Sequence, residues 1–269
     1  RFTRAENTSS AIAAWSSAMG HRIPEGAGLD AVVPCRRMSV SGASIPLVQR
    51  VEYLLARAKG QRVLHLGCTN APYTAQSLAD GSLLHLRLGE VAGELHGVDI
   101  DRAGIDVLAS RGVAHLHTGD VGDLAAELAA AGPFDIVIAG EIVEHLTDPG
   151  TFLRNVQKVM TPETRLLVST VNAYCGFRLA QYALRGRGGH AEPVHPDHVA
   201  YYSQATLARL LTTAGFVVTG QWFYDLGTEH LPYTTWPVRW TNAVLTRLAP
   251  QLADGVIAEC RTGDPLVRT

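Results

Sequence analysis

Residues 62–68 read "RVLHLGC": a short apolar run, rich in β-formers, that closes on a glycine. Just upstream, "PLVQRVEYLLARAKG" (46–60) places Val48, Val51, Leu54 and Leu55 at helical spacing and ends on Gly60, a helix stop. A helix, a strand and a glycine at the strand's end together predict an alternating α/β chain. The rhythm continues. Strands are predicted at 94–100, 113–119, 134–140 and 164–171, with helical patterns at 102–110, 122–131 and 149–160 between them. This alternation predicts a Rossmann-like, doubly wound α/β sheet that binds ligands beyond the carboxyl ends of its strands. Beyond residue 171 the expected order is a helix (174–185), a His-rich loop (186–200), a helix (203–214), a strand (216–225), a helix (237–248) and a strand (254–260). Residues 1–45, rich in Ala, Ser and Gly, read as an N-terminal helical cap or lid, and 46–269 as the main domain.

A chain of 269 residues with 46% hydrophobic content can bury a large core, and its net charge of −2 argues against a surface made for a phosphate backbone. No apolar run is long enough to span a membrane, and "RFTRAENTSSAIAAWSSAMG" (1–20) lacks the apolar centre of a secretion signal. The expectation is a cytoplasmic protein with a small-molecule acceptor and neither a nucleic-acid nor a membrane partner; its oligomeric state is open. Cys35, Cys68, Cys175 and Cys260 form no C-x-x-C pair and are expected as free thiols.

Three successive strand ends carry groups suited to a nucleoside. Gly67 lets the backbone come close to a ligand. In "GVDID" (97–101), Asp99 is placed to accept ribose hydroxyls, with Asp101 in reserve. In "TGDVGDL" (118–124), Asp120 can accept from an adenine amino group and Val121 can form an apolar wall. Asp101 and Asp120 are equally well placed to cap the helices that follow them.

The strand at 134–140 runs into "EIVEHLTDPG" (141–150). If 141–145 form one helical turn, Glu141, Glu144 and His145 share a face, and two carboxylates aimed at one place call for a cation. Mg2+ or Mn2+, and also Fe2+ or Zn2+, would accept such ligands. His190, His195 and His198 in "GGHAEPVHPDHVAYYS" (188–203) can return over the same strand ends. Without a cation, Glu141 would contact donor or substrate, and His145 could serve as general base. Nine aromatic residues fall within 201–240 and can wall an apolar or sugar-binding pocket.

The succession "VLHLGC", "GVDID", "TGDVGDL", "FDIVIAGEIVEHLTDP", "LLVSTVN" and "YYSQATLARLLTTAGF" resembles the class I S-adenosylmethionine-dependent methyltransferases over roughly residues 46–225. The resemblance implies a seven-stranded sheet whose last two strands form an antiparallel edge. It also implies a donor held around Gly67, Cys68, Asp99, Ile100, Asp120, Val121 and Gly140. The chain departs from the family's Gly-Cys-Gly-x-Gly loop, with His65, Thr69 and Ala71 at the matching places, and 32 positions separate Gly67 from Asp99. An insertion carrying His85 fills that interval.

The E-x-x-E-H motif is similar to those of the ubiquinone-biosynthesis O-methyltransferases and of the metal-dependent small-RNA 2′-O-methyltransferases. The first likeness implies His190 as a further metal ligand beside Glu141, Glu144 and His145; the second implies His198, which is favoured. The expected function is O-methylation of a small-molecule hydroxyl on a glycan, glycolipid or secondary-metabolite precursor, with Glu144, His145 and His198 as catalytic residues. The alternatives are a metal-free N- or C-methyltransferase with His145 as base and a non-catalytic nucleotide-binding module. A nicotinamide-dependent oxidoreductase is disfavoured, because Gly67-Cys68-Thr69-Asn70-Ala71-Pro72 is not G-x-G-x-x-G.

Overall fold

A computed structural model of the chain describes residues 45–186, 197–227 and 236–263. They lie within one compact unit, residues 44–269. Their strands are β1 (Leu47–Val48), β2 (Arg62–Leu66), β3 (Glu94–Asp99), β4 (Leu116–Thr118), β5 (Ile136–Gly140), β6 (Arg165–Val171), β7 (Phe216–Tyr224) and β8 (Gly255–Thr262). The helices are α1 (Arg50–Ala58), α2 (Thr74–Ala79), α3 (Leu84–Gly89), α4 (Arg102–Ser110), α5 (Ala125–Ala131), α6 (Pro149–Gln157), α7 (Gly176–Arg185), α8 (Gln204–Thr213) and α9 (Trp236–Leu248).

All eight strands join one sheet in the order β1-β7-β8-β6-β5-β2-β3-β4. Strand order reverses at β2, which pairs in parallel with β3 on one side and β5 on the other. That crevice is where an open α/β sheet binds its ligand. The expected seven strands are joined by an eighth: Val48 lies in β1 and pairs with Tyr224, so the apolar pattern read as one helix from Val48 is a two-residue strand followed by α1. The expected antiparallel edge is present. β8 is antiparallel to both β6 and β7, so β7 runs with the rest of the sheet and only β8 opposes it.

Side chains alternate across a strand, and the sequence divides accordingly. Leu64, Leu66, Val137, Ala139, Leu166 and Val168 face one core, against Leu128, Leu153, Val156, Leu207 and Leu211 of the covering helices. Val63, Ile136, Ile138 and Leu167 face the other, against Leu54, Ala58 and Leu88. Every residue of Ile136–Ala139 is fully buried, as a central parallel strand requires. Two helix starts are fixed by capping. Asp148 accepts from the Thr151 amide at 2.9 Å ahead of Pro149, and Ser203 forms a reciprocal capping box with Thr206. The insertion between β2 and β3 folds as α2 and α3, and buries Leu83, Leu88 and His85. His85 Nδ1 stands 3.2 Å from His65 Nδ1. Burial keeps both imidazoles below their usual pKa, His85 at about 4. His65, which replaces the family's strand aspartate, is thus a packing residue here. Cys68, Cys175 and Cys260 are free and buried, and Cys35 lies outside the described residues. So do residues 1–44 of the expected cap or lid (1–45) and residues 187–196 of the expected loop (186–200), with His190 and His195. Among the described residues no helix is long and apolar enough to cross a membrane.

Candidate active site

At the end of β2 the chain turns sharply at Gly67, whose φ of +69° favours glycine. A side chain there would press on Ile142, with 3.0 Å from its Cβ to Ile142 Cδ1. The amides of Gly67 and Cys68 both donate to Val98 O, so these residues offer close approach and no spare N–H. The Cys68 side chain lies in a core cluster with Leu83, Ile105 and Leu108.

Asp99 ends β3. Its Oδ2 accepts from the Thr69 amide at 2.9 Å and the Thr69 hydroxyl at 2.8 Å, and its Oδ1 accepts from the Asp101 amide at 2.9 Å. A carboxylate has about four acceptor sites. One therefore remains, and a second opens if the Thr69 hydroxyl rotates. Thr69, which replaces a family glycine, orients the acid. Ile100 beside it is 78% exposed, an apolar side chain at the sheet's ligand end. Asp101 stands at the N-cap position of α4 but makes no side-chain cap bond. Asp120 does not cap α5 either; its Oδ1 accepts from the Gly122 amide. Val121, expected as a ligand wall, is 3% exposed and packs in the main core. Gly140, half-buried, ends β5; a Cβ there would stand 3.6 Å from Arg50 Nη1.

The segment 141–145 is a turn and not a helix. Glu141 takes φ +53°, and this reverses its side chain's expected partnership with Glu144 and His145. It forms an ion pair with Arg50 at 3.3 Å and accepts from the Tyr224 hydroxyl at 3.0 Å. Glu141 thus leaves the expected ligand set. Glu144, His145 and His198 do come together: each offers a ligand atom, and all three atoms lie within 4.8 Å of one another. His198 is brought there by backbone bonds, the amides of Val199 and Ala200 donating to Glu144 O at 2.8 and 3.2 Å. Its ring meets that of His145 edge-on, with centroids 4.6 Å apart.

Glu144, in the turn after β5, is fully buried against the end of β6. Its Oε2 accepts from the Thr170 hydroxyl at 2.8 Å, whereas Oε1 is buried without a hydrogen-bond partner. Burial, and then the charge of Glu141, push its carboxyl up to about 7, against the pull of the Thr170 hydroxyl and nearby backbone amides. A buried orphan oxygen costs roughly 1–3 kcal/mol, and a cation would remove that cost. His145 Nδ1 lies 3.2 Å from the Asp197 carbonyl, so it donates there and Nε2 carries the lone pair. The donor set of one carboxylate and two imidazoles therefore fits a divalent ion.

Sequence reasoning missed the Arg50–Glu141–Tyr224 group, the grip of Thr69 on Asp99 and the bond from Thr170 to Glu144. Thr170 could have been found as a hydroxyl at the end of an otherwise buried strand. A cleft of about 470 Å3 opens beside Asp225, at the end of β7, lined by Gln49, Leu226, Trp236, Arg239 and Trp240. Among the described residues, Trp236 and Trp240 are the members of the aromatic-rich stretch that line it. Phe216, Phe223 and Tyr224 are buried, and Trp222 packs on Tyr53 with centroids 4.7 Å apart.

Comparison with known proteins agrees with this fold. The family model described as "Methyltransferase domain" matches residues 43–221, more than half of the chain. A ubiquinone biosynthesis O-methyltransferase of Caulobacter sp. (strain K31) is 30% identical over 61% of this chain and 60% of its own length. A probable S-adenosylmethionine-dependent methyltransferase of Mycolicibacterium smegmatis is 30% identical over 61% of this chain and 55% of its own. The chain thus spans under two thirds of these relatives' length. The fold matches a SAM-dependent methyltransferase from Archaeoglobus fulgidus with a TM-score of 0.51 at 18% identity, over 79% of this chain and 91% of that one. The chain belongs to the methyltransferase family that this domain model describes, and its sheet is of the doubly wound α/β class.

Proposed function

We propose that this chain transfers the methyl group of S-adenosylmethionine to a hydroxyl of a small molecule, with a divalent cation, Mg2+ or Mn2+, held by Glu144, His145 and His198. The observation that carries the proposal is the buried, unpartnered Glu144 Oε1 with two imidazoles within reach. The name of the Caulobacter relative supports oxygen as the acceptor atom. The Trp236–Trp240 cleft is the size of a small-molecule pocket, and a net charge of −2 suits such an acceptor better than nucleic acid. The acceptor class we infer is a glycan, glycolipid or secondary-metabolite precursor.

The donor's ribose is assigned to Asp99, its adenine ring to the exposed face of Ile100 and its amino group to Asp120 Oδ2. The backbone turn at Gly67–Cys68 and the open edge at Gly140 let its methionyl part approach, and Val121 contributes only backbone. A bound cation would lower the acceptor hydroxyl's pKa and fix its position. The chain's own residues do the rest. Glu144, anchored by Thr170, holds negative charge at the strand end. His145, oriented by the Asp197 carbonyl, presents Nε2 for binding or for taking a proton. Arg50 and Tyr224 hold Glu141 by an ion pair and a hydrogen bond.

His145 also supports a second reading, a metal-free transferase acting on nitrogen or carbon, because Nε2 can serve directly as a base. Transfer of labelled methyl from the donor to a panel of hydroxyl compounds, with and without a chelator, separates the two. The metal reading predicts that stripping abolishes transfer while donor binding persists, that Mn2+ restores it, and that Glu144→Ala and His198→Ala resist rescue. Transfer that survives verified stripping would overturn the metal and leave His145 as base. Donor binding without transfer to any acceptor would favour a non-catalytic binding module.

A further inference from the structure

A second cluster of metal-ligating side chains lies on β3 and β4. Glu94, His96 and His115 each offer a ligand atom, the three atoms lying within 4.8 Å of one another. Glu94 and His96 are two residues apart on β3 and share a face, while His117 pairs with Val98 and brings β4's histidines to the same face. His96 is nearly fully buried, and its ring stacks on His115 with centroids 4.6 Å apart. The place is remote from the methyl-transfer site. Glu94 opens β3 and Asp99 closes it, about 17 Å apart at the usual rise per residue.

Hydrogen-bond accounting shows what the cluster lacks. Glu127 Oε1 accepts from His117 Nδ1 at 2.8 Å, so in a neutral ring the hydrogen sits on that nitrogen and Nε2 is an acceptor. When both rings are neutral, His96 Nδ1, 3.3 Å from His117 Nε2, is then the donor. That leaves a lone pair on His96 Nε2, which nevertheless faces the Glu94 carboxylate Oε1 at 2.8 Å. Two acceptors at that distance require a positive species between them. A proton would satisfy two acceptors, whereas three convergent donors, with His115 as the third, suit a metal.

We propose that Glu94, His96 and His115 bind a divalent transition-metal cation of the zinc class. Zinc takes nitrogen and carboxylate ligands at about 2.0–2.2 Å, which sets neighbouring donor atoms roughly 3.3 Å apart in a tetrahedron. The 2.8 Å contact need open only slightly, and His115 need only close in. The His96–His117–Glu127 relay fixes the tautomer that frees Nε2 for the metal, as outer-sphere partners commonly do. The exposed side of His115 leaves a position for water. Arg62 Nη2 lies 3.1 Å from the same Glu94 oxygen, so the ion competes with this guanidinium. Bound there, the cation would tie the three-residue edge strand β4 to β3.

The test is titration of the full chain carrying His145→Ala and His198→Ala, which removes the first candidate metal site. Co2+ is followed by its visible absorption, and Zn2+ by competition with a chromophoric chelator. The expected result is one bound equivalent, with affinity lowered more than tenfold by His96→Ala or by His115→Asn. Asn tolerates the left-handed φ of +55° at that position. Glu127→Gln should weaken binding about tenfold through the relay, and Arg62→Ala should tighten it. The proposal is overturned if no equivalent binds. It is equally overturned if His115→Asn, still unfolding cooperatively, binds as tightly as its parent.

Discussion

Replacing Glu144 by Gln should change how stability depends on pH. In the folded chain the Glu144 carboxyl is pushed from 4.5 to about 7, by burial first and by Glu141 second. Between these values the folded chain holds a proton that the unfolded chain releases, so stability falls as pH rises from about 4.5 through about 7. At roughly 1.4 kcal/mol per pKa unit, the fall is about 3 kcal/mol, complete by about pH 8. Glutamine keeps the size of the side chain and an oxygen for the Thr170 hydroxyl but cannot ionise. Whatever its amide costs is independent of pH and cancels in the slope. Melting curves of metal-free wild type and Glu144→Gln at pH 5, 6, 7 and 8 are the assay. The wild type should lose about 3 kcal/mol against the variant between pH 5 and 8, roughly 6–12 °C for a domain of this size. Mn2+ added at pH 8 should restore the wild type alone, since only the carboxylate gains a partner. Parallel pH curves for the two proteins would refute the assignment of Glu144 as a strained, buried acid.

Other expected outcomes are independent of that one. Gly67→Ala, at φ +69° and pressed on Ile142, should destabilise the chain by about 1–2 kcal/mol, read by denaturant unfolding, and should weaken donor binding as the turn shifts. Thr170→Val removes a hydrogen bond to the Glu144 carboxylate; the midpoint of the wild-type pH transition should move upward, with about 1.5–3 kcal/mol of stability lost at pH 8. Trp240→Ala should raise the acceptor KM and leave donor affinity unchanged if the cleft that Trp240 lines, apart from the β2–β3 crevice, takes the acceptor as proposed.

The alternating sheet was legible because β2, β5 and β6 are buried on both faces and read as continuous apolar runs flanked by amphipathic helices. β1 was not, because two residues carry no periodicity; its pairing is supplied entirely by β7. The antiparallel edge came from the resemblance, because local sequence records that a strand forms and not which way its neighbour runs. At the candidate site, spacing put Glu144 beside His145 and the resemblance pointed to His198, and the structure brings these three side chains together. Spacing failed at Glu141, where the helical assumption broke on a left-handed residue whose carboxylate is drawn to Arg50 and Tyr224, both far away in sequence. Val121 was misread because an apolar residue beside a predicted ligand acid packs inward or outward according to a helix that the motif does not contain. The histidines of β3 and β4 were visible singly, and only the strand register brings them together.

The central claim is that this sheet holds S-adenosylmethionine at the carboxyl ends of β2 and β3. Calorimetric titration of the donor into the full chain, and into Asp99→Ala, tests it most directly. One binding event is predicted, unaffected by chelator, and weakened about 10- to 150-fold in Asp99→Ala as about 1.5–3 kcal/mol of charged hydrogen bonding is lost. The absence of a binding heat at any temperature tried, or equal affinity in the two proteins, would contradict it.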